Sequence, residues 1–312
     1  MMACKADDSG VRNVMTTIWG DEGNECDLYS SMPGVLYQAE HAYTSANEVD
    51  AALLRRKFDG IMGADFDDYV YASKLDDTQP ESQPIDIRTH YTPNLAKFLL
   101  WEQPFYSILS PQYRGYDLET HFTHLAAYLE QALSADFSVM NTVGMPHSID
   151  DFPANSRLRL PYLLARVLAL KCHLRERLVH AYRTDDRPEL YALAGAEPES
   201  RLSRLRGLVR ELHSLHRKHW MSMYKPFGWE VLDLRYGGLK SQLETMHMRI
   251  VAYLDDTDTE VTDLEELEVN LQVRSVALAP CAAADRVSQT IYPGQGANLM
   301  LDHARASRPQ YI

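Results

Sequence analysis

Sulfur chemistry is scarce in this chain. Its 312 residues hold four cysteines, Cys4, Cys26, Cys172 and Cys281, far apart and without a C-x-x-C pair, so neither a zinc knuckle nor a disulfide framework is indicated. A reducing, cytoplasmic setting is the expectation. No apolar run reaches the roughly 18 residues of a spanning helix, and no secretory signal opens the chain. Positive charge is also in deficit: 31 Lys and Arg against 44 Asp and Glu give a net charge of −13. That balance excludes nucleic acid or an anionic membrane as the main partner, because either needs a concentrated basic face. The basic residues between Arg201 and Lys218 alternate with leucine at helical spacing and read as a solvated helix face. No glycine-rich phosphate loop follows a strand, and Pro293-Gly294-Gln295-Gly296 lacks the lysine and helix of a nucleotide site. His213, His216 and His219 drift around a helix with no acid at ligand spacing, and they read, like His121 and His124, as solvated or capping histidines. No metal and no cofactor is expected.

What the chain does have is apolar content, 45%, enough for a core, and a length that suggests about two domains. Its most specific stretch is Asn13 to Glu25, NVMTTIWGDEGNE. Val14, Met15 and Ile18 with two threonines form a β-rich run without alternation, which predicts a parallel strand buried on both faces and closed by Gly20. The turn beyond it gathers Trp19, Asp21, Glu22, Asn24 and Glu25. A pyranose presents an apolar C–H face and a rim of hydroxyls, so an indole floor beside carboxylates is the makings of a sugar subsite. For Trp19 alone a core tryptophan at a barrel end is the plain alternative. Asp21 and Glu22 also suggest a glycosidase carboxylate pair, but adjacent residues on a regular strand point to opposite faces.

Around this stretch the pattern predicts a helix over Met1 to Asp8 and another over Gly34 to Tyr43, the latter opened by Pro33 with Val35, Leu36 and Ala39 on one face. Helix, strand, polar loop, helix is the unit of a (β/α) barrel, whose chemistry lives on the loops after the strands. One unit cannot close a barrel of about 250 residues. The expectation is therefore that the chain begins inside a larger protein, with Met1 an internal methionine or a truncated start. A small three-layer cap is the alternative.

Beyond the unit, helices are expected over Asn47 to Met62 and Asp65 to Leu75, then a linker rich in Asp, Gln, Pro and Ser from Asp76 to Thr92. Four amphipathic repeats follow: Leu118, Phe122, Leu125, Leu129, Leu133; Leu160, Leu163, Val167, Leu170, Leu174, Leu178; Leu202, Leu205, Val209, Leu212, Leu215; and Leu239, Leu243, Met246, Ile250, Leu254. They make a helical bundle. The connector KPFGWEVLDLRYGG, Lys225 to Gly238, is expected to be a shaped turn because of Pro226, Gly228, Gly237 and Gly238. Either Phe227, Trp229 and Tyr236 plug the bundle end, or Trp229, Asp233 and Arg235 face a partner or cap a site. After residue 272 periodicity is lost, and a weak hairpin or a frayed tail are equally consistent with the sequence. The expected organisation is thus mainly α: residues 1–75 as the last βα unit of a (β/α)8 barrel, 76–92 a linker, 93–272 an α-helical domain and 273–312 an irregular tail.

WGDEGNE followed by PGVLYQAEHAY resembles the final strand and loop of the family 20 β-N-acetylhexosaminidases, specifically the bacterial branch that includes exo-β-D-glucosaminidase-like enzymes. LLWEQPFYSIL, Leu99 to Leu109, and KPFGWEVLDLRYGGL, Lys225 to Leu239, resemble that branch's C-terminal helical domain. The resemblance runs from about residue 1 to about residue 270. It implies a retaining hydrolase of terminal amino sugars, in which the substrate's acetamido oxygen attacks, an aspartate orients it and a neighbouring glutamate protonates the leaving oxygen. Both acids would lie upstream of this sequence. Trp19 matches the tryptophan lining the terminal-sugar pocket and Asp21 the acid holding the outer hydroxyls, while Glu22, Asn24 and Glu25 match the motif without an assigned role. The implied partner is an amino-sugar glycan, with a homodimer or non-catalytic helical module as the alternative.

Overall fold

The computed structural model describes residues 14–18, 27–43, 49–76, 95–105, 117–143 and 154–264. Among them every regular element is helical: α1 (Met32–Tyr43), α2 (Ala51–Met62), α3 (Phe66–Ala72), α4 (Leu95–Trp101), α5 (Leu118–Val143), α6 (Arg159–Lys171), α7 (Leu174–Arg183), α8 (Arg187–Ala194), α9 (Arg201–Met223) and α10 (Trp229–Leu254). None of these helices is long and apolar enough to cross a membrane. Contacts divide the chain into two compact units, one of Met1–Lys74 with Ala127–Tyr162, the other of Leu75–Ala126 with Leu163–Ile312. The expected linker falls almost wholly outside the described residues, and the tail 273–312 and the Met1 to Asp8 helix wholly so.

The described residues 14–18 do not show the strand expected before Trp19. Residues 14–18 carry no regular secondary structure, and Val14, Met15 and Ile18 stand 52%, 84% and 55% exposed. A strand buried on both faces needs hydrogen-bonding neighbours on both edges, and the described residues offer it none. The helices that follow obey local signals. Asp50 accepts from the Ala52 and Leu53 amides to start α2, and Gly63, at φ +60, ends it in the left-handed conformation. Asp65 starts α3 in the same way. Phe58 is fully buried, edge-on to Phe66 and Tyr69 with centroids 5.4 Å away in each case. Tyr71 stacks on Tyr128, whose hydroxyl donates to Asp68 at 2.9 Å. Burial and that hydrogen bond push the Tyr128 phenol up to about 12.

The second unit is built on α9 and α10, which pack along each other with α8 against both and α7 against α8. Leu202, Leu205, Val209 and Leu212 from α9 meet Leu232, Tyr236, Leu239, Leu243, Met246 and Ile250 from α10 in its core. Two sequence expectations change here. The repeat from Leu160 to Leu178 is two helices, broken at Cys172 and His173, because Arg201 donates to the carbonyls of Ala169 and Leu170 at 2.6 and 2.8 Å and takes over the acceptors that a continuous helix would use. The connector after α9 is only Tyr224 to Gly228, and Gly237 and Gly238 lie inside α10. Glycine costs about 1 kcal/mol apiece in a helix, and burial of Trp229, Leu232, Tyr236 and Leu239 on the inner face, at about 1.5–3 kcal/mol per large side chain, outweighs it.

Candidate functional site

Of the residues singled out for sugar binding, Trp19, Asp21, Glu22, Asn24 and Glu25 all lie outside the described residues. Trp229, Asp233 and Arg235 lie within the second unit, and the fold there draws together two segments more than a hundred positions apart. Trp229 and Arg235 are buried, so these two side chains face the unit's interior. Of the three aromatics expected to plug the bundle end, Trp229 and Tyr236 are buried and Phe227 is exposed.

The turn between α9 and α10 is fixed by its own chemistry. The Trp220 indole donates to the Lys225 carbonyl at 2.8 Å, and the Gly228 amide donates to Glu230 at 2.7 Å. Gly228 sits at φ +101, where a Cβ would stand 3.1 Å from the Trp220 ring, so both conformation and space call for glycine. Below the turn an aromatic stack forms. His213 lies parallel to Trp229 at 5.8 Å and to Tyr236 at 4.5 Å, while Trp101 meets Tyr236 edge-on at 4.9 Å. The Arg235 guanidinium lies 5.8 Å from the centre of the Trp101 ring. The LLWEQPF and KPFGWEVLDLRYGG segments thus share one cluster.

Two histidines that sequence reasoning placed in solvent or at caps have specific partners instead. His213 Nε2 is 2.7 Å from Asp233, and its Nδ1 is 3.1 Å from the Lys240 ammonium. An ammonium has no lone pair, so Lys240 donates, Nδ1 accepts, and the ring proton sits on Nε2 toward Asp233. His216 is buried with Nδ1 3.0 Å from the Tyr236 hydroxyl. Burial, with a smaller contribution from the charges of His219 and His213, pulls its pKa down to about 3. Burial also pushes the Tyr236 hydroxyl above its ordinary range. A neutral imidazole beside a protonated phenol lets the tyrosine O–H donate to Nδ1. Tyr236→Phe is expected to destabilise the chain by about 1–2 kcal/mol in urea unfolding, since it strands a buried acceptor. The Trp229 indole N–H is buried without an acceptor among the described residues.

The segment after α4 is held from below by buried cations. Lys171 donates to the carbonyls of Leu99 and Glu102, both at 2.6 Å, and Arg175 to that of Phe105 at 2.9 Å. Arg201 adds a two-pronged pair with Glu119 at 2.8 Å. Lys171 and Arg201 reach carbonyls at the C-terminal ends of α4 and α6, where orphan carbonyls and the helix dipole favour positive charge, while Arg175, at the start of α7, holds the chain beyond α4. Lys171 and Lys240 carried no signal in the sequence, Trp101 entered only within the LLWEQPFYSIL segment, and His213 and His216 were read as solvated or capping histidines. No group of three or more metal-ligating side chains lies among the described residues. The arrangement has aromatic faces, a polarised Asp233–His213–Lys240 chain and pinned backbone. The groups hydrogen-bonded to the His213 ring are the Asp233 carboxylate and the Lys240 ammonium.

Residues 67–277 match the Glycoside Hydrolase 20C C-terminal domain, and the chain belongs to this glycoside hydrolase family. The match takes in the LLWEQPF and KPFGWEVLDLRYGG segments and begins after the WGDEGNE motif. Comparison with curated proteins gives no match.

Proposed function

We propose that the chain is the C-terminal part of a β-N-acetylhexosaminidase-type glycoside hydrolase, of the bacterial branch that includes exo-β-D-glucosaminidase-like enzymes. It removes terminal N-acetylglucosamine-like sugars with retention, by a substrate-assisted mechanism. The match of residues 67–277 carries this reading, and WGDEGNE at 19–25 supports it. In this reading Val14 to Ile18 form the last strand of a (β/α)8 barrel when the rest of the barrel is present, which accounts for their apolar exposure here. Trp19 stacks on the terminal sugar, Asp21 holds its outer hydroxyls, and Glu22, Asn24 and Glu25 complete the loop. The orienting aspartate and the acid glutamate come from polypeptide beyond these 312 residues.

The 312-residue chain is expected to leave an aryl N-acetylglucosaminide intact, because the departing oxygen still needs a positioned general acid. Turnover by this chain that vanishes in Glu22→Gln would place the acid within it and sink the reading. In the enzyme carrying the full barrel, Trp19→Ala is expected to cost about 2–4 kcal/mol in kcat/KM, from lost aromatic contact. An unchanged kcat/KM would make Trp19 a structural residue.

A further inference from the structure

The chain just after Trp19 to Glu25 is held by a residue 130 positions away from its anchor point at Asp27. Asp27 divides its carboxylate between two tasks. Oδ1 accepts the Tyr29 amide at 3.0 Å and starts the 3-10 helix Leu28–Ser31, while Oδ2 accepts from Arg157 Nη1 at 2.7 Å. The same guanidinium lies over the Tyr29 ring, 4.4 Å from its centre. Arg157 thus grips Asp27 and Tyr29 together, and all three belong to the first unit. The Asp27 and Arg157 side chains are 7% and 20% exposed, against 50% and 51% for the surface pair of Asp67 and Arg55. A buried pair gives back much of its attraction as desolvation, so what Arg157 chiefly supplies is a fixed position for Asp27.

Arg157 is itself firmly mounted. It lies in the 3-10 helix Ala154–Leu158, whose buried Asn155 accepts the Asp65 amide at 3.0 Å and hydrogen-bonds the Asp68 side chain. Asp68 is held in turn by the Tyr128 hydroxyl from α5. Hydrogen bonds and short helices therefore connect α5, through α3 and Asn155, to Asp27. Arg157 falls within the family match at 67–277 and Asp27 outside it, so at this pair the C-terminal domain reaches the segment that carries WGDEGNE. Two peptide bonds separate Asp27 from Glu25, about 7 Å of chain. A displaced Asp27 carries the end of that stretch with it.

We propose that Arg157 is a positioning residue for the terminal-sugar subsite, acting through Asp27 to set where the Trp19 to Glu25 stretch stands against the sugar, a role that rests on the glycosidase reading. The enzyme carrying the full barrel is assayed on an aryl N-acetylglucosaminide. Arg157→Gln and Asp27→Asn are each expected to lower kcat/KM by about ten- to a hundredfold, the scale for a misplacement of about 1 Å, and the two together by no more than either alone. Arg157→Lys, which keeps a cation for Asp27, is expected to recover most of the loss. In a Trp19→Ala, Asp21→Asn background, Arg157→Gln is expected to cost less than about threefold, because the sugar contacts that it misplaces are already gone. A general weakening of the fold would cost the same factor in both backgrounds. Asp27→Asn keeps an acceptor for the Tyr29 amide and takes the place of Arg157→Gln in these comparisons should the latter not fold. Loss of kcat/KM in Trp19→Ala with none in Arg157→Gln or Asp27→Asn would overturn the proposal and spare the glycosidase reading. Equal factors in the two backgrounds would make Arg157 a structural residue and overturn it too. An unchanged kcat/KM in Trp19→Ala would remove the subsite itself, and the proposal with it.

Discussion

Replacing Lys171 by methionine is expected to lower the unfolding free energy by about 3–5 kcal/mol, the range for removing one member of a buried charged set. The Lys171 ammonium is buried, and burial pulls its pKa down to about 8 while nearby Glu102 pulls it back up. Its hydrogen bonds go to the Leu99 and Glu102 carbonyls, at the end of the seven-residue helix α4. Methionine preserves bulk and apolar contact but donates nothing, so those carbonyls and the buried Glu102 lose their cation together. Chemical unfolding followed by circular dichroism measures the loss. Adding Glu102→Gln to Lys171→Met should recover part of it, since the carboxylate is then no longer buried against a missing charge. Lys218→Met, on the exposed face of α9, should stay within about 0.5 kcal/mol of wild type. A Lys171→Met effect as small as that would mean the ammonium does not organise the segment after α4.

The same residues show what was legible in the sequence. Repeats of leucine at threes and fours located α5, α9 and the inner face of α10, because each helix buries one continuous stripe. The repeat could not show the break between α6 and α7. Leu170, Leu174 and Leu178 keep stepping across it, whereas its cause is Arg201, about thirty positions away, reaching the carbonyls of Ala169 and Leu170. Local signals erred in the opposite direction at Gly237 and Gly238, where propensity announced a turn and burial kept the helix. Residues 14–18 show a third kind of limit. Their β-rich composition states a preference that becomes a strand only when another strand lies alongside, and the described residues supply none. The site was legible as composition but not as geometry. The aromatic connector could be read, yet its meeting with Trp101 is a contact across more than a hundred residues. His213 and His216 were weighed as metal ligands and read as solvated or capping histidines, so their pairing with Asp233 and Tyr236 was not anticipated.

Acid is expected to weaken this chain through His216. In the folded state burial holds its pKa near 3, against an ordinary value of 6.5. Between those two values the unfolded chain takes up a proton on this ring that the folded chain excludes, so stability falls as pH is lowered from about 6.5 toward 3 and is fully present above 6.5. At about 1.4 kcal/mol for each unit of difference, the loss is on the order of 4 kcal/mol by the acid end of the window. The groups around the ring do not offset it. His213 and His219 raise the cost of charging His216, and Tyr236 faces it with a neutral hydroxyl. Asp233 is engaged by His213 instead. Carboxylates elsewhere also titrate at low pH, so the measurement that isolates His216 is a comparison of urea midpoints for wild type and His216→Gln from pH 7 down to pH 4. Glutamine keeps a polar group near Tyr236 but takes up no proton. The variant should be less stable at pH 7 and lose less on acidification, bringing the two curves together. Parallel curves over that range would show that His216 carries its proton in the folded chain as readily as in the unfolded one, and that the aromatic stack admits a charge.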